Sequence, residues 1–546
     1  MSDQTAERAH GPRRRRLPAI ARRAARSTES VIRSDPLKLK VGLEGIREWT
    51  ARLPGLLDAP RWRAPLPDLT DISPGWRRHD RTHLEINLEH PTIADGRTWE
   101  AWIFLPESFR LGPDTYSTQR IGADIQSRVR FSAPELLLSD VAGAAGNAAA
   151  MVRSSDAAVA IDELKVFACS VREAVARATL DVRMADSTEA MTAGAEVLVD
   201  TVESAITSIR ETVLPAAEQA GPSLAETAGW VDEHLSEVIE TAMVKLVKDL
   251  SRRRSAAPVV ARLTQVAVNE ARHRVSVTDE PSVSSDSSTF ELERVERRRH
   301  ALKRLTSSVL WLELEAGDAR SKAEHTLHSI AAGIAMTFAV AAALWYGTPN
   351  DATDLWVWGG LAVLAYMGKD RLKAMLQDAF TGYIDKRYPN RKWTIRHGAS
   401  GLEVATGEEK YRFVGPDELP PDVARFRRDL QRDSLGETLE LDSILHHRKR
   451  IVVDADAVRT VDQRVESLTE ILRIDVARWL THTDDPSRSV TMADPESGEL
   501  FKSSLPRAYD VTILHRLSPT GVNTNWSAAR VVLSRKGIRR VDQLDT

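Results

Sequence analysis

A single cysteine, Cys169, in 546 residues excludes an internal disulfide framework and any multi-cysteine zinc or iron–sulfur centre. The chain also lacks a charge bias. Its 75 Lys and Arg against 78 Asp and Glu leave a net of −3, which gives the whole molecule no polyanion-binding character. Aromatic residues are only 5% of the chain, and between Pro134 and Arg274 only Phe167 and Trp230 occur. A core in that stretch has to be built from small aliphatic side chains on helices. Signatures of nucleotide binding and catalysis are missing: no GxxxxGK[ST], GxSxG, HExxH, EF-hand or protein-kinase pattern occurs. No catalytic, cofactor-binding or metal-binding residue is therefore assigned, and no cofactor is expected.

What the chain does contain is a long uncharged run. Leu327–Tyr346, LHSIAAGIAMTFAVAAALWY, has no Asp, Glu, Lys or Arg across 20 residues. As a helix it reaches roughly 30 Å, the thickness of a hydrocarbon core. Trp345 and Tyr346 close it at headgroup level. A second apolar run, Leu355–Gly368, follows, with Trp356 and Trp358 at one end and Lys369 and Arg371 at the other as interfacial anchors. Between the runs, Gly347–Asp354 has Pro349, two acidic residues and no Lys or Arg, whereas Arg320, Lys322, Lys369, Arg371 and Lys373 lie outside. The positive-inside rule then places both flanks in the cytoplasm. The expectation is a two-helix transmembrane hairpin over 327–368; a re-entrant second segment is the alternative.

Small residues recur along the first run at the four-residue spacing that lets helices approach in lipid. Ala331, Ala335, Ala339 and Ala343 form one row; Ser329, Gly333, Thr337 and Ala341 form the next. Gly359 and Gly360 offer a partner surface on the second run, as would another copy of the chain. An alanine-rich anchor with no packing role reads the same pattern equally well. No charged residue lies inside either run, so an ion path has no support.

The remaining chain predicts an α+β protein with a mainly helical central region. Residues 1–50 form a basic, flexible arm, with net +7 over the first 40. Arg13, Arg14, Arg15, Arg16, Arg22 and Arg23 predict contact with anionic lipid, against the alternative of a tail without a target. Nucleic acid is not expected, because no aromatic residues are interleaved in the arm. Residues 51–132 comprise a proline- and tryptophan-bearing lead-in and a small unit with a β-hairpin. In it Leu84, Ile86 and Leu88 alternate with polar residues, Asp95-Gly96 marks a turn, and Thr98–Leu105 returns. Residues 134–275 read as helices: Val199, Val202, Ile206, Ile209 and Val213 form one seam, and Leu235 to Leu250 supply a second apolar face. Pro215 and Gly221-Pro222 mark the break between them. A serine-rich linker, 276–289, precedes a membrane-proximal helix over 290–326. Residues 369–546 form a C-terminal α+β domain, with three short strands in Lys392–Val414, helices near 422–447 and 461–481, and strands at Tyr509–Leu517 and Ala529–Leu533.

The nearest thing to a metal constellation is His446-His447 with Asp454 and Asp456. Adjacent histidines on a helix diverge by about 100°, and Arg448-Lys449-Arg450 opposes a cation. A solvated helix end leading into a strand accounts for them better. Cys169 reads as a small core residue.

WIFLPESF (Trp102–Phe109), DTYSTQR (Asp114–Arg120) and the following IQSRVRFSAP carry a resemblance. With HHRKRIVV (His446–Val453) and VVLSRKGIRRV (Val531–Val541), they are similar to a group of uncharacterised bacterial proteins that share a membrane hairpin. The resemblance implies a bacterial inner (plasma) membrane setting, multi-pass with both termini cytoplasmic, and no activity. The expected function is a membrane-anchored scaffold or sensor acting through its cytoplasmic parts. Its expected partners are membrane lipid, a second copy through the hairpin or central helices, and an unidentified cytoplasmic protein. The alternative is a membrane-attached enzyme with its site in the C-terminal domain.

Overall fold

The alternation of Leu84, Ile86 and Leu88 produces a strand, and many others join it. A computed structural model describes residues 75–92, 96–278, 283–284, 286–317, 319–346, 352–431, 442–518 and 525–544. The basic arm with Arg13, Arg14, Arg15, Arg16, Arg22 and Arg23 lies outside the described residues, as does part of the serine-rich linker.

Fourteen strands occur among the described residues. They are β1 (Arg77–Arg78), β2 (His83–Pro91), β3 (Arg97–Pro106), β4 (Ile125–Phe131), β5 (Leu312–Gly317), β6 (Arg391–His397) and β7 (Glu403–Val414), then β8 (Asp442–Val453), β9 (Ser467–Asp475), β10 (Ser487–Ala493), β11 (Leu500–Pro506), β12 (Tyr509–Ser518), β13 (Asn525–Ser534) and β14 (Gly537–Leu544). One sheet has the order β1-β2-β9-β4, a second β14-β13-β12-β3-β8-β7-β6-β5, and β10-β11 is a separate ribbon. Every ladder is antiparallel.

The two large sheets face each other across a common core that holds Leu84, Ile86 and Leu88 of β2 with Trp99, Ile103, Val511 and Ile513 of the other sheet. They also meet at their edges. An isolated bridge joins Arg130 to Trp311 beside β4 and β5, and the Gln543 amide donates to the Trp76 carbonyl beside β14 and β1. The result is a barrel-like sandwich in which every inner face is covered.

Strands β2, β3 and β4 interleave with strands from the far end of the chain. β3 lies between β8 and β12, and β9 lies between β2 and β4. The segments 51–132 and 369–546, read separately from the sequence, thus share both sheets. The expected hairpin at Asp95-Gly96 does not form, since β2 and β3 belong to different sheets.

The helices are α1 (Thr118–Asp124), α2 (Val141–Ser154), α3 (Ala157–Arg183), α4 (Thr188–Ser208), α5 (Leu214–Ala220), α6 (Pro222–Leu250), α7 (Ala257–Val277), α8 (Thr289–Ser307), α9 (Ala319–Tyr346), α10 (Ala352–Arg387), α11 (Pro421–Gln431) and α12 (Ala455–Val461). Helices α2 to α7 share one core dominated by Ala, Val and Leu. Val199, Val202, Ile209 and Val213 of the expected seam are all buried, as are Leu235, Ile239, Met243 and Leu246 of the second face. Pro215 does not break the chain direction. A π-helical turn, Ile209–Val213, precedes it, and the helical backbone runs without a break through this turn and Pro215 into α5. Gly221, at φ 141°, is the true stop. Mixed helix and antiparallel sheet, segregated along the chain, is compatible with the expected α+β class.

Four expected elements differ. The stretch 461–481 holds strand β9, and the second half of 422–447 runs into strand β8. Both contain good helix formers, but long-range pairing overrides local propensity. The membrane-proximal helix stops at Ser307, and Leu312 and Leu314 alternate with Glu313 and Glu315 in β5. Lys392–Val414 forms two strands, not three, with Gly407 inside β7.

Among the described residues, one helix is long and apolar enough to cross a membrane: α9, over Ala323–Ala342. The second run, Leu355–Gly368, is the first part of the 36-residue α10, which does not meet that measure.

Candidate functional site

Helices α9 and α10 are joined by five residues and pack on one another. Ala331 and Ala335 are fully buried and Ala339 is half-buried, so this row meets a neighbour. Ser329 and Gly333, on the adjacent row, are exposed. A methyl group built on Gly359 or Gly360 would touch nothing within 4 Å, whereas one on Gly368 would meet the Phe338 ring at 3.3 Å. Gly368 is therefore the close-approach glycine; the sequence pattern pointed to Gly359 and Gly360 because a Gly-Gly pair stands out. Lys369 places its ammonium 3.8 Å from the centre of the Tyr366 ring, and Arg371 is exposed. Trp345 is 87% exposed at the end of α9. The side chains of Ala343, Tyr346, Trp356 and Trp358 lie outside what the structure describes.

The outward surface of this pair is apolar. Ile330, Ile334, Met336, Phe338, Val340 and Leu344 are each 44–77% exposed on α9, and Val363, Leu364 and Met367 are 59–63% exposed on α10. Only 11% of the Ala323–Ala342 window is buried. A core helix of a soluble protein hides such a face; this one presents it.

A second concentration of chemistry lies inside the sandwich. Along β8 the inward row reads Leu445, His447, Lys449, Ile451, Val453, because side chains alternate with period two. His447 and Lys449 therefore fall between two apolar halves. Leu445, Tyr411, Leu472 and Ile125 lie on one side; Ile451, Ala405, Leu468 and Val129 lie on the other. Glu409 from β7, Glu470 from β9, His90 from β2 and Ser127 from β4 complete the polar layer. The Lys449 ammonium pairs with Glu470 and donates to Ser127 Oγ at 2.9 Å, and His447 Nε2 lies 2.8 Å from Glu409 Oε1. His90 Nε2 is 3.3 Å from Glu470 Oε2.

Burial pushes the Glu470 carboxyl up, but the Lys449 charge and the His90 and Lys449 hydrogen bonds outweigh it and hold the group at about 2. Burial likewise opposes the charge of Lys449, and the attraction of Glu470 and Glu409 overcomes it, raising its pKa. Glu409, Lys449 and Glu470 are at most 2% exposed, closed off from solvent between the two sheets. The layer acts on the fold. A one-residue slip of β8 would bury Arg448 and Arg450 in its place, which pins the register.

His446 points the opposite way from His447. It stacks on Trp102 with ring centres 5.0 Å apart, on the outer face of the large sheet. There Arg516 donates to Glu100 at 2.8 Å and lies over Trp102 and Trp526. Burial raises the Glu100 carboxyl, yet the His446 and Arg516 contacts bring it down to about 2. Asp454 caps α12, accepting from the backbone N–H of Asp456 and Ala457. His446, His447 and Asp454, grouped in the sequence, are thus divided between two faces of the sheet and a helix cap. The expectation that the two histidines share a helix is corrected: they are neighbours on a strand. No group of three or more His, Cys, Asp or Glu able to hold a metal occurs among the described residues. Cys169 is buried, and burial pushes its thiol pKa up.

No family model matches the chain, and neither a curated protein nor a solved structure is similar to it.

Proposed function

We propose that this chain is an integral membrane protein of a bacterial inner membrane, anchored by α9 and α10 with both flanks in the cytoplasm. It acts by binding, as a scaffold or sensor that holds its helical unit and β-sandwich at the membrane surface. The carrying observation is the outward apolar surface of α9, long enough to span a hydrocarbon core and little covered by the rest of the chain, which is the surface lipid covers. The basic outer flanks and the resemblance to membrane-hairpin proteins support the same reading. α10 then crosses with its first half and continues into the cytoplasm as a charged helix.

Alkaline carbonate extraction of membranes from expressing cells tests the anchor. Retention of the full-length chain in the pellet is expected, and release into the supernatant overturns the reading. Purification in mild detergent tests the scaffold. Recovery of an oligomer or a bound partner is expected; recovery of a bare monomer counts against it.

A further inference from the structure

Away from the membrane pair, α3, α6 and α8 enclose a groove of about 550 Å³. Its walls carry Arg172 and Arg183 from α3, Lys245 from α6, and Arg299 and Lys303 from α8, against the two carboxylates Glu237 and Glu296. The carboxylates are already engaged: Glu237 lies 3.4 Å from Arg299, and Glu296 lies 3.1 Å from His300. Arg183 pairs with Asp249. Arg172 has only a 3.9 Å approach to its neighbour Glu173, and Lys245 and Lys303 have no carboxylate partner among the described residues.

His234 lines this groove. It is 4% exposed, and neither ring nitrogen has a hydrogen-bond partner. Leaving a buried polar group unpaired costs about 1–3 kcal/mol. Burial first, and then the charges of Arg172 and Lys303, bring its pKa down to about 4, so at neutral pH it is an uncharged ring beside two cations. The other charged groups buried in this helical unit are paired, Asp232 and Glu270 with Arg210 and Glu233 with Arg298, whereas His234 is not.

We propose that this groove binds a phosphate monoester, with the phosphate held by Arg172, Lys303 and the His234 N–H, and the organic part lying on Val175, Leu180 and Val238. Three donors from three helices match the oxygens of a phosphate dianion, where a carboxylate offers two. The volume suits a small organic ligand. The site stands apart from the membrane reading, and either can fail alone.

Calorimetric titration of the full-length protein in detergent with phenyl phosphate, inorganic phosphate and phenol tests this. Phenyl phosphate is expected to bind, more tightly than inorganic phosphate, and phenol is expected not to. Loss of a charge-assisted hydrogen bond in Lys303→Gln should weaken phenyl phosphate roughly tenfold or more. Lys303 is exposed, so this variant keeps the fold, and unchanged circular dichroism verifies it. Arg172→Gln should weaken binding similarly. Competition by phosphatidic acid vesicles would assign the phosphate to a lipid headgroup, and its absence to a soluble ester; both agree with the proposal. No heat with phenyl phosphate, or equal affinity in wild type and both variants, overturns it.

Discussion

Replacing Lys449 by Met keeps most of the side-chain volume and removes one buried charge. The two carboxylates that flank it, Glu409 and Glu470, are 1% and 0% exposed and would then face each other across the polar layer. Removing one partner of a buried ion pair costs about 3–5 kcal/mol, because the charge left behind is neither solvated nor paired. The double variant Lys449→Met, Glu470→Gln removes both charges and should recover a large part of that loss. Urea unfolding followed by tryptophan fluorescence reads the sandwich directly, since Trp99 sits 5.1 Å from the His447 ring in this core. The pair also makes a pH prediction. Glu470 has its folded pKa at about 2, below the ordinary 4.5, so its contribution is present above about 4.5 and fades as pH falls through about 2. Lys449→Met should flatten this part of the acid limb. A single variant within 1 kcal/mol of wild type, or strictly additive single and double variants, would refute the coupling.

Two further substitutions probe other parts of the fold. Arg210 joins Asp232 at 2.9 Å and Glu270 at 2.8 Å, both nearly fully buried, so Arg210→Met should cost the helical unit about 3–5 kcal/mol in a thermal melt by circular dichroism. Gly537 turns β13 into β14 at φ 116°, and an added methyl would run into the Arg81 carbonyl. Gly537→Ala should cost about 1–3 kcal/mol by urea unfolding, and more than Gly401→Ala, where φ is also positive but nothing lies within 4 Å.

The Val199 to Val213 seam and the Leu84 to Leu88 alternation correspond to buried faces, because apolar residues repeat at the period of the element. β12 and β13 were legible for the same reason. β8 and β9 were not. Lys449, His447 and Glu470 sit on inward rows where apolar residues are expected, and a charge at such a position masks the period-two signal. The pairing of β3 with β8 and β12 leaves no local trace at all, since its partners lie more than 300 residues away. The groove around His234 was invisible for a related reason: its residues come from three helices, each ordinary by itself.

The central claim is that α9 and α10 cross the membrane and return. Cys169 is the only native cysteine and is buried, so a single Asn350→Cys substitution supplies one reactive thiol between the two helices. Applied to intact spheroplasts, a membrane-impermeant maleimide should label that position without lysis. Labelling that appears only after the membrane is opened would contradict the topology on which the account stands.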